Sequence, residues 1–498
     1  MKKQSFITGA VLLAVATALG KIFSAIFKIP LDRMFLHADG MAVFNGAYNI
    51  YMFFFAVATA GIPLAISQLI ASSSSKEEEE SVVSTSFFFT TSLLSLSGAL
   101  IFVFADFIAS LTGIEESASA LRVMAPALIF CGATATLRGY FQGKRNMTPS
   151  ALSQVADSLG RLTLGFALAF AFLSFPIGII SAGAISGVPF GAFLSALILT
   201  VFAKKSFLHI KPRFSSSHLK RLLYFAIPIT ITASLHPIFN MADTITVVPM
   251  LKSISWATPH HSFGCLSRGA MLYALPVSIA TAVATSVLPA IAESAKKGDT
   301  LSLNRDSSMA MRLALAISIP CSAGFMAIPE DILQFLFENS ADYQTLIYIA
   351  LSATLLSTGE VTACILQGMG RVKATVVCAL LSIGAKFVFN IVLIKFLGIN
   401  GAAISTSLAY FVFLITLMLA LRRYTTIKLT ASSHLVKPVF CGALCFMAAY
   451  IASFFMPAFF SILTAASVYI PAVFLTKFID FDELNQIFSG HKIEYSNR

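Results

Sequence analysis

Charge is what this chain has least of. Only 11% of its 498 residues are Asp, Glu, Lys or Arg, against 57% hydrophobic residues and a mean hydropathy of +0.84. A soluble domain carries about a quarter charged residues, so this composition excludes one and places the protein in a bilayer. Alternating apolar and polar strands are also missing, which excludes an outer-membrane barrel. No GxxxxGK[ST] phosphate loop occurs, so nothing points to ATP as an energy source. The seven cysteines form no CxxC pair and lie almost entirely in apolar runs. Cys441 and Cys445 share a helix face without a nearby His or carboxylate, and read as packing residues rather than metal ligands.

What is present is a succession of about fourteen apolar runs of membrane-spanning length. An all-α integral membrane protein follows. The N-terminus carries Lys2, Lys3 and an Ala14-Val15-Ala16 stretch that mimics a signal-peptide cleavage site. Because the apolar run continues through Lys21 to Pro30 with no polar mature start, an uncleaved first helix is expected.

Basic residues fall in alternate loops. Lys76, Lys144 and Arg145, the cluster Lys204, Lys205, Lys211, Arg213, Lys220 and Arg221, then Lys296, Lys297 and Arg305, Arg371 and Lys373, and Arg422, Arg423, Lys428 and Lys437 share the side of the N-terminus. Glu115, Glu116, Glu330, Asp331, Glu338 and Asp342 lie opposite. By the positive-inside rule both termini of this multi-pass protein face the cytoplasm. The net charge of +11 is accounted for by topology and anionic headgroups, so no nucleic-acid partner is implied and membrane lipids are. Two short polar stretches are expected to be solvated loops, Glu77 to Glu80 on the cytoplasmic side and the His260-His261 pair on the external side.

A faint internal repeat divides the chain. Arg138-Gly139-Tyr140-Phe141-Gln142-Gly143 is echoed by Leu366-Gln367-Gly368-Met369-Gly370-Arg371, and Ser181 to Ser186 by Asn400 to Ser405. The expected organisation is two six-helix lobes related by a pseudo-twofold axis, with two further helices. An N-lobe spans 1–205, a basic cytoplasmic linker 206–221, a C-lobe 222–424, the last two spans 425–480 and a cytoplasmic tail 481–498.

Charges inside apolar runs are costly and mark cavities or cargo paths. The first run holds Thr17, Lys21, Ser24, Lys28 and Asp32 at helical spacing, with Arg33 just beyond. Lysine and arginine sheltered from full solvent suit an anionic cargo. Lys28 and Arg33 snorkelling at the helix end is the structural alternative. Asp157 and Arg161 stand at i and i+4, an arrangement that also fits a self-neutralised pair. His236, Asn240 and Asp243 line one helix face, and Ser382, Lys386 and Asn390 another. Arg268 and Glu360 are further cavity candidates, Glu360 with an equal claim to a partner in its own lobe.

The segments Gly20-Lys21-Ile22, Phe27-Lys28-Ile29-Pro30-Leu31, Ala60 to Ser67, Leu137 to Gly143 with Asn146-Met147-Thr148-Pro149, Ala226 to Thr230, Ser286 to Ile291 and Leu397 to Ala403 resemble the stage V sporulation protein B branch of the multidrug/oligosaccharidyl-lipid/polysaccharide flippase superfamily. The resemblance implies a V-shaped pair of lobes exporting an undecaprenyl-pyrophosphate-linked sugar, such as lipid II or a polysaccharide repeat unit, by alternating access, with cell-wall synthesis enzymes as partners. Under it Lys21, Lys28, Arg33 and Arg268 bind the cargo. Asp243, Asn240, Lys386, Asn390, Asp157, Arg161 and Glu360 form coupling or architectural networks. It also implies a cation site near Asp243 and Asn390, from which Lys386 departs, because a fixed ammonium beside Asp243 is able to replace the ion; a structural Asp243–Lys386 ion pair is the alternative. Sodium coupling, proton coupling and no coupling all stay open, and no cofactor is expected. A multidrug exporter of the same fold is the rival within transporters, although a Lys-lined helix repels its typical cationic cargo. A membrane enzyme acting on lipid-linked sugars is the rival from another class, and no catalytic carboxylate pattern in a large external loop supports it. A scaffold without transport is a third alternative.

Overall fold

The computed structural model describes residues 6–35, 38–207, 214–424 and 432–479. Lys2, Lys3, Lys211, Arg213, Lys428 and the tail from 481 lie outside them. The described residues are helical without a strand, as the composition demands, because a backbone in hydrocarbon satisfies its polar groups only within a helix or a closed barrel.

The first half comprises α1 (Phe6–Met34), α2 (Ala38–Thr59), α3 (Gly61–Ser72), α4 (Lys76–Val103), α5 (Ala105–Thr112), α6 (Ser117–Met124), α7 (Ala127–Gly143), α8 (Thr148–Ala171) and α9 (Ile177–Phe207). The second comprises α10 (Ser216–Ala233), α11 (Leu235–Ser253), α12 (Pro259–Lys297), α13 (Thr300–Ala327), α14 (Pro329–Phe337), α15 (Tyr343–Gly368), α16 (Val372–Leu397) and α17 (Ile399–Tyr424). A π-helical turn at Ser432–Val436 leads into α18 (Lys437–Ser453), and α19 (Ala458–Leu475) follows. Eleven spans are long and apolar enough to cross a membrane, twelve with the bent pair α10–α11. The 29-residue α1 and 24-residue α8, both long enough to cross, bring the total to the fourteen expected.

Two helix breaks have the same cause. Proline lacks the N–H that would bond the carbonyl four residues earlier, and its ring collides with that carbonyl. Pro63 accordingly interrupts the chain near Thr59, between α2 and α3. Pro237 interrupts it near Ala233, where α10 and α11 meet at 62°. Both breaks open onto the same internal space, described below.

The buried side chains separate into two cores. One gathers Phe44, Tyr51, Ile66 and Phe141 from the first half. The other gathers Phe239, Tyr273, Tyr410 and Phe413 from the second and extends to Tyr469, whose hydroxyl donates to the Ala316 carbonyl and ties α19 to α13 at 3.0 Å. α10 is shared: its buried Leu222 and Ala226 join the first core, while α11 belongs to the second.

Three expectations of solvated, irregular chain are corrected. Glu77, Glu78 and Glu79 lie in the first turn of α4, with Glu80 just after it, and the helix start is capped reciprocally. The Ser75 hydroxyl accepts from the Glu78 N–H at 3.1 Å, and the Glu78 carboxylate accepts from the Ser74 N–H at 2.9 Å. Acidic residues at a helix N-terminus are also favoured by its dipole, which the reading as a charged loop overlooked. His260 and His261 stand in the first turn of α12, started by Pro259, and His260 donates to the Gly113 carbonyl at 2.8 Å. Within the expected linker, α10 already begins at Ser216, with Ser215 as its N-cap.

Candidate functional site

Between the lobes lies a cavity of about 680 Å³, walled by α1, α2 and α8 on one side and by α11 and α12 on the other. Its placement follows from local sequence. On α9, Gly187 and Gly191 lie so close to α8 that a Cβ would come within 2.3 Å of the Arg161 and Asp157 carbonyls, respectively. Small residues of this kind let membrane helices approach backbone to backbone. Here they fix the turn of α8 that carries Asp157 and Arg161 at the cavity wall.

Four cations line the cavity, Lys21, Lys28, Arg138 and Arg161, against the carboxylates of Asp157 and Asp243. Arg161 holds Asp157 bidentately, at 3.0 and 2.8 Å. It also donates to the Tyr51 hydroxyl and stacks over Phe55 with 4.7 Å to the ring centre. Asp243 is neutralised from behind by Lys386 at 2.6 Å. Arg138 is buried against the Ser153 and Ser195 hydroxyls at 3.0 and 2.9 Å.

Three of the four, Lys21, Lys28 and Arg138, have no carboxylate within ion-pair distance among the described residues, but Arg138 is buried against its two hydroxyls, whereas no such acceptor holds Lys21 or Lys28. Lys28 sits over the Tyr48 ring, 4.4 Å from its centre, a contact that steadies an ammonium without cancelling its charge. Lys21 is exposed on the cavity side and feels Glu360 of α15 only at a distance. Glu360 itself is half-buried and not part of the cavity wall. The wall is therefore net positive.

Arg33 and Arg268 do not join that wall in this conformation. Arg268 makes a two-pronged pair with Asp32 at 3.0 and 2.8 Å, with side chains only 2% and 0% exposed, joining α12 to α1. Arg33 donates to the Leu336 and Phe335 carbonyls of α14 and pairs with Glu338 at 2.7 Å. Nearby, Lys252 donates to the Gly113 carbonyl at 2.7 Å. Together these contacts close the lobes at the end bearing the acidic loops.

In the second lobe, Asp243, Asn390 and Lys386 are brought together. Asn390 donates to Asp243 at 2.8 Å, and Lys386 bonds Asn390 at 3.1 Å. Asn240 instead donates to His236, which bonds Tyr410 and Tyr273, all at 3.2 Å. Sequence reasoning missed Tyr48, Tyr51 and Phe55. Their signal was an aromatic stripe at helical spacing on α2, beginning at Phe44. It also missed Arg138, legible only as part of a motif, and Asp32 as the partner of Arg268. No group of three or more His, Cys, Asp or Glu side chains placed to hold a metal ion occurs among the described residues.

Two helical lobes enclosing a cationic cavity define a multi-pass membrane transporter. Comparison with known proteins gives the particular family. The family described as polysaccharide biosynthesis protein matches residues 6–295, and the chain belongs to it, within the multidrug/oligosaccharidyl-lipid/polysaccharide flippase superfamily. Among its relatives, the lipid II flippase MurJ of Bacillus subtilis is 26% identical over 456 residues, covering 84% of this chain and 83% of the relative. The stage V sporulation protein B of the same organism is 26% identical over 423 residues, 81% of each chain. A solved structure of lipid II flippase MurJ in an inward closed conformation shares the fold, with a TM-score of 0.73 at 18% identity over 93% of this chain and 98% of that one.

Proposed function

We propose that this protein exports a lipid-linked saccharide whose lipid and sugar are joined through phosphate, an undecaprenyl-pyrophosphate-linked unit of the lipid II or polysaccharide-repeat class, by alternating access. The observation that carries the reading is the pair of cavity lysines, Lys21 and Lys28, without carboxylate partners. A phosphate-bearing headgroup neutralises them. A cationic drug would be repelled, which disfavours the multidrug reading. The relatives named lipid II flippase support the same cargo class, and their role in transport rather than catalysis disfavours an enzyme.

With the basic loops and both termini in the cytoplasm, the closed acidic end faces outward, and the cargo enters from the cytoplasmic side of a bacterial cell membrane. Export of a dianion is favoured by an inside-negative potential, about 2.3 kcal/mol per charge per 100 mV and roughly twice that for two charges. Release follows when the Asp32–Arg268 and Arg33–Glu338 contacts part and water hydrates the phosphates.

Proteoliposomes containing the native protein and a fluorescent undecaprenyl-pyrophosphate disaccharide test the proposal. Translocation accelerated by an inside-negative potential is expected. Transport of a lipophilic cation instead, with none of the sugar lipid, would transfer the protein to the drug-exporter class.

A further inference from the structure

Lys386 is fully buried, and its surroundings are unusual for a simple ion pair. Its Nζ lies 2.6 Å from Asp243 Oδ1, 3.1 Å from Asn390 Oδ1, 3.0 Å from Ser405 Oγ and 2.6 Å from Thr406 Oγ1. An ammonium has three protons to donate. Four oxygens at these distances are one more than it can serve with directed hydrogen bonds. They come from three helices, α11, α16 and α17, and comprise one carboxylate, one amide oxygen and two hydroxyls. Such a hard, all-oxygen set with a single negative charge is the donor chemistry of a bare monovalent cation.

The cage is also held from outside. Asn390 donates its amide protons to Asp243 and to the Thr246 hydroxyl, both at 2.8 Å, which turns its oxygen toward Lys386. Ser405 donates to the Asn390 oxygen as well. Asp243 is 7% exposed and borders the central cavity, so the cage stands just behind the cavity wall.

We infer that Asp243, Asn390, Ser405 and Thr406 form a monovalent-cation site whose ion is supplied by the chain itself, the Lys386 ammonium acting as a tethered cation. The native protein then takes up no alkali ion at this position, and the second lobe is held in one charge state regardless of the medium. Removing the ammonium leaves a carboxylate and three neutral oxygens around a vacated volume, which a free cation enters.

The test uses the full-length protein in detergent and reads the melting midpoint in chloride salts of sodium, lithium, potassium and choline at equal ionic strength. For the native protein the four midpoints coincide. Lys386→Ala gains a saturable, single-site rise of several degrees with one alkali cation over choline, because a ligand that binds only the folded state stabilises it. Adding Asp243→Asn abolishes that rise. Lys386→Ser serves the same purpose with a residue that keeps a hydroxyl in the cage. A saturable alkali-ion shift in the native protein would overturn the inference. So would two Lys386 variants that respond equally to all four salts, or that fold in none. The readout involves no cargo, so its outcome is separate from that of the transport proposal.

Discussion

The two lobes treat a lysine within a membrane helix in opposite ways. In the second, Lys386 is enclosed by oxygen and paired with Asp243. In the first, Lys21 and Lys28 face the cavity, one accessible beside it and the other resting on Tyr48, and the carboxylate that this lobe contributes to the wall, Asp157, is taken up by Arg161. A lysine inside a membrane protein is thus not a cargo site by virtue of its charge alone. What decides is whether the fold has supplied its counter-charge. Where it has, the charge is architecture; where it has not, the counter-charge must arrive from outside.

The contrast can be broken most forcefully at Lys386. In choline medium Lys386→Met leaves Asp243 buried without its counter-ion. The expected loss of about 3–5 kcal/mol is that of halving a buried pair, measured by denaturant or thermal unfolding. Combining it with Asp243→Asn restores most of the stability.

Next comes the latch between the lobes. Asp32→Asn strands a fully buried Arg268 and favours the state open at the acidic end. A cysteine at Asn45, in a background lacking the native cysteines, should then be labelled from the acidic-loop side at least about tenfold faster, since 1.4 kcal/mol is a factor of ten and breaking a buried pair costs more. An unchanged labelling rate would remove the latch from the account.

Gly191→Ala tests how the first lobe places its carboxylate. The added methyl meets the Asp157 carbonyl, and overpacking of this kind costs about 1–3 kcal/mol. Lower thermal stability together with impaired transport is expected, whereas Gly298→Ala, with open space around it but a positive φ of 70°, should affect stability only. The smallest effect belongs to Arg33→Gln. Its pair with Glu338 has 40% and 66% of the side chains exposed, so its loss should cost below about 1 kcal/mol and shrink further in salt.

Much of this was legible before any coordinates. Fourteen apolar runs gave the helical class because hydrophobic length is a local property, and the helical spacing of Lys21 and Lys28 placed both on the cavity side of α1. Helix starts were less legible. The acidic run at Glu77 resembled a loop because the capping exchange between Ser75 and Glu78 depends on geometry that charge counting ignores. Pairings distant in sequence were the least legible. Asp32 and Arg268 are 236 residues apart, and periodicity within α1 or α12 carries no information about which helix lies opposite. For the same reason Arg33 and Arg268 read as cargo residues although here they join the lobes. The oxygens of Ser405 and Thr406 gave no signal of their own, since hydroxyls in a membrane helix ordinarily bond their own backbone.

The central claim is that the uncompensated lysines of the first lobe receive the anionic headgroup. It is tested most directly by comparing translocation of a fluorescent undecaprenyl-pyrophosphate sugar by the native protein and by a Lys21→Ala, Lys28→Ala double variant of matched melting behaviour. The account predicts transport by the native protein and a loss of tenfold or more in the variant, with folding unchanged. A folded double variant that transports at the native rate would contradict it.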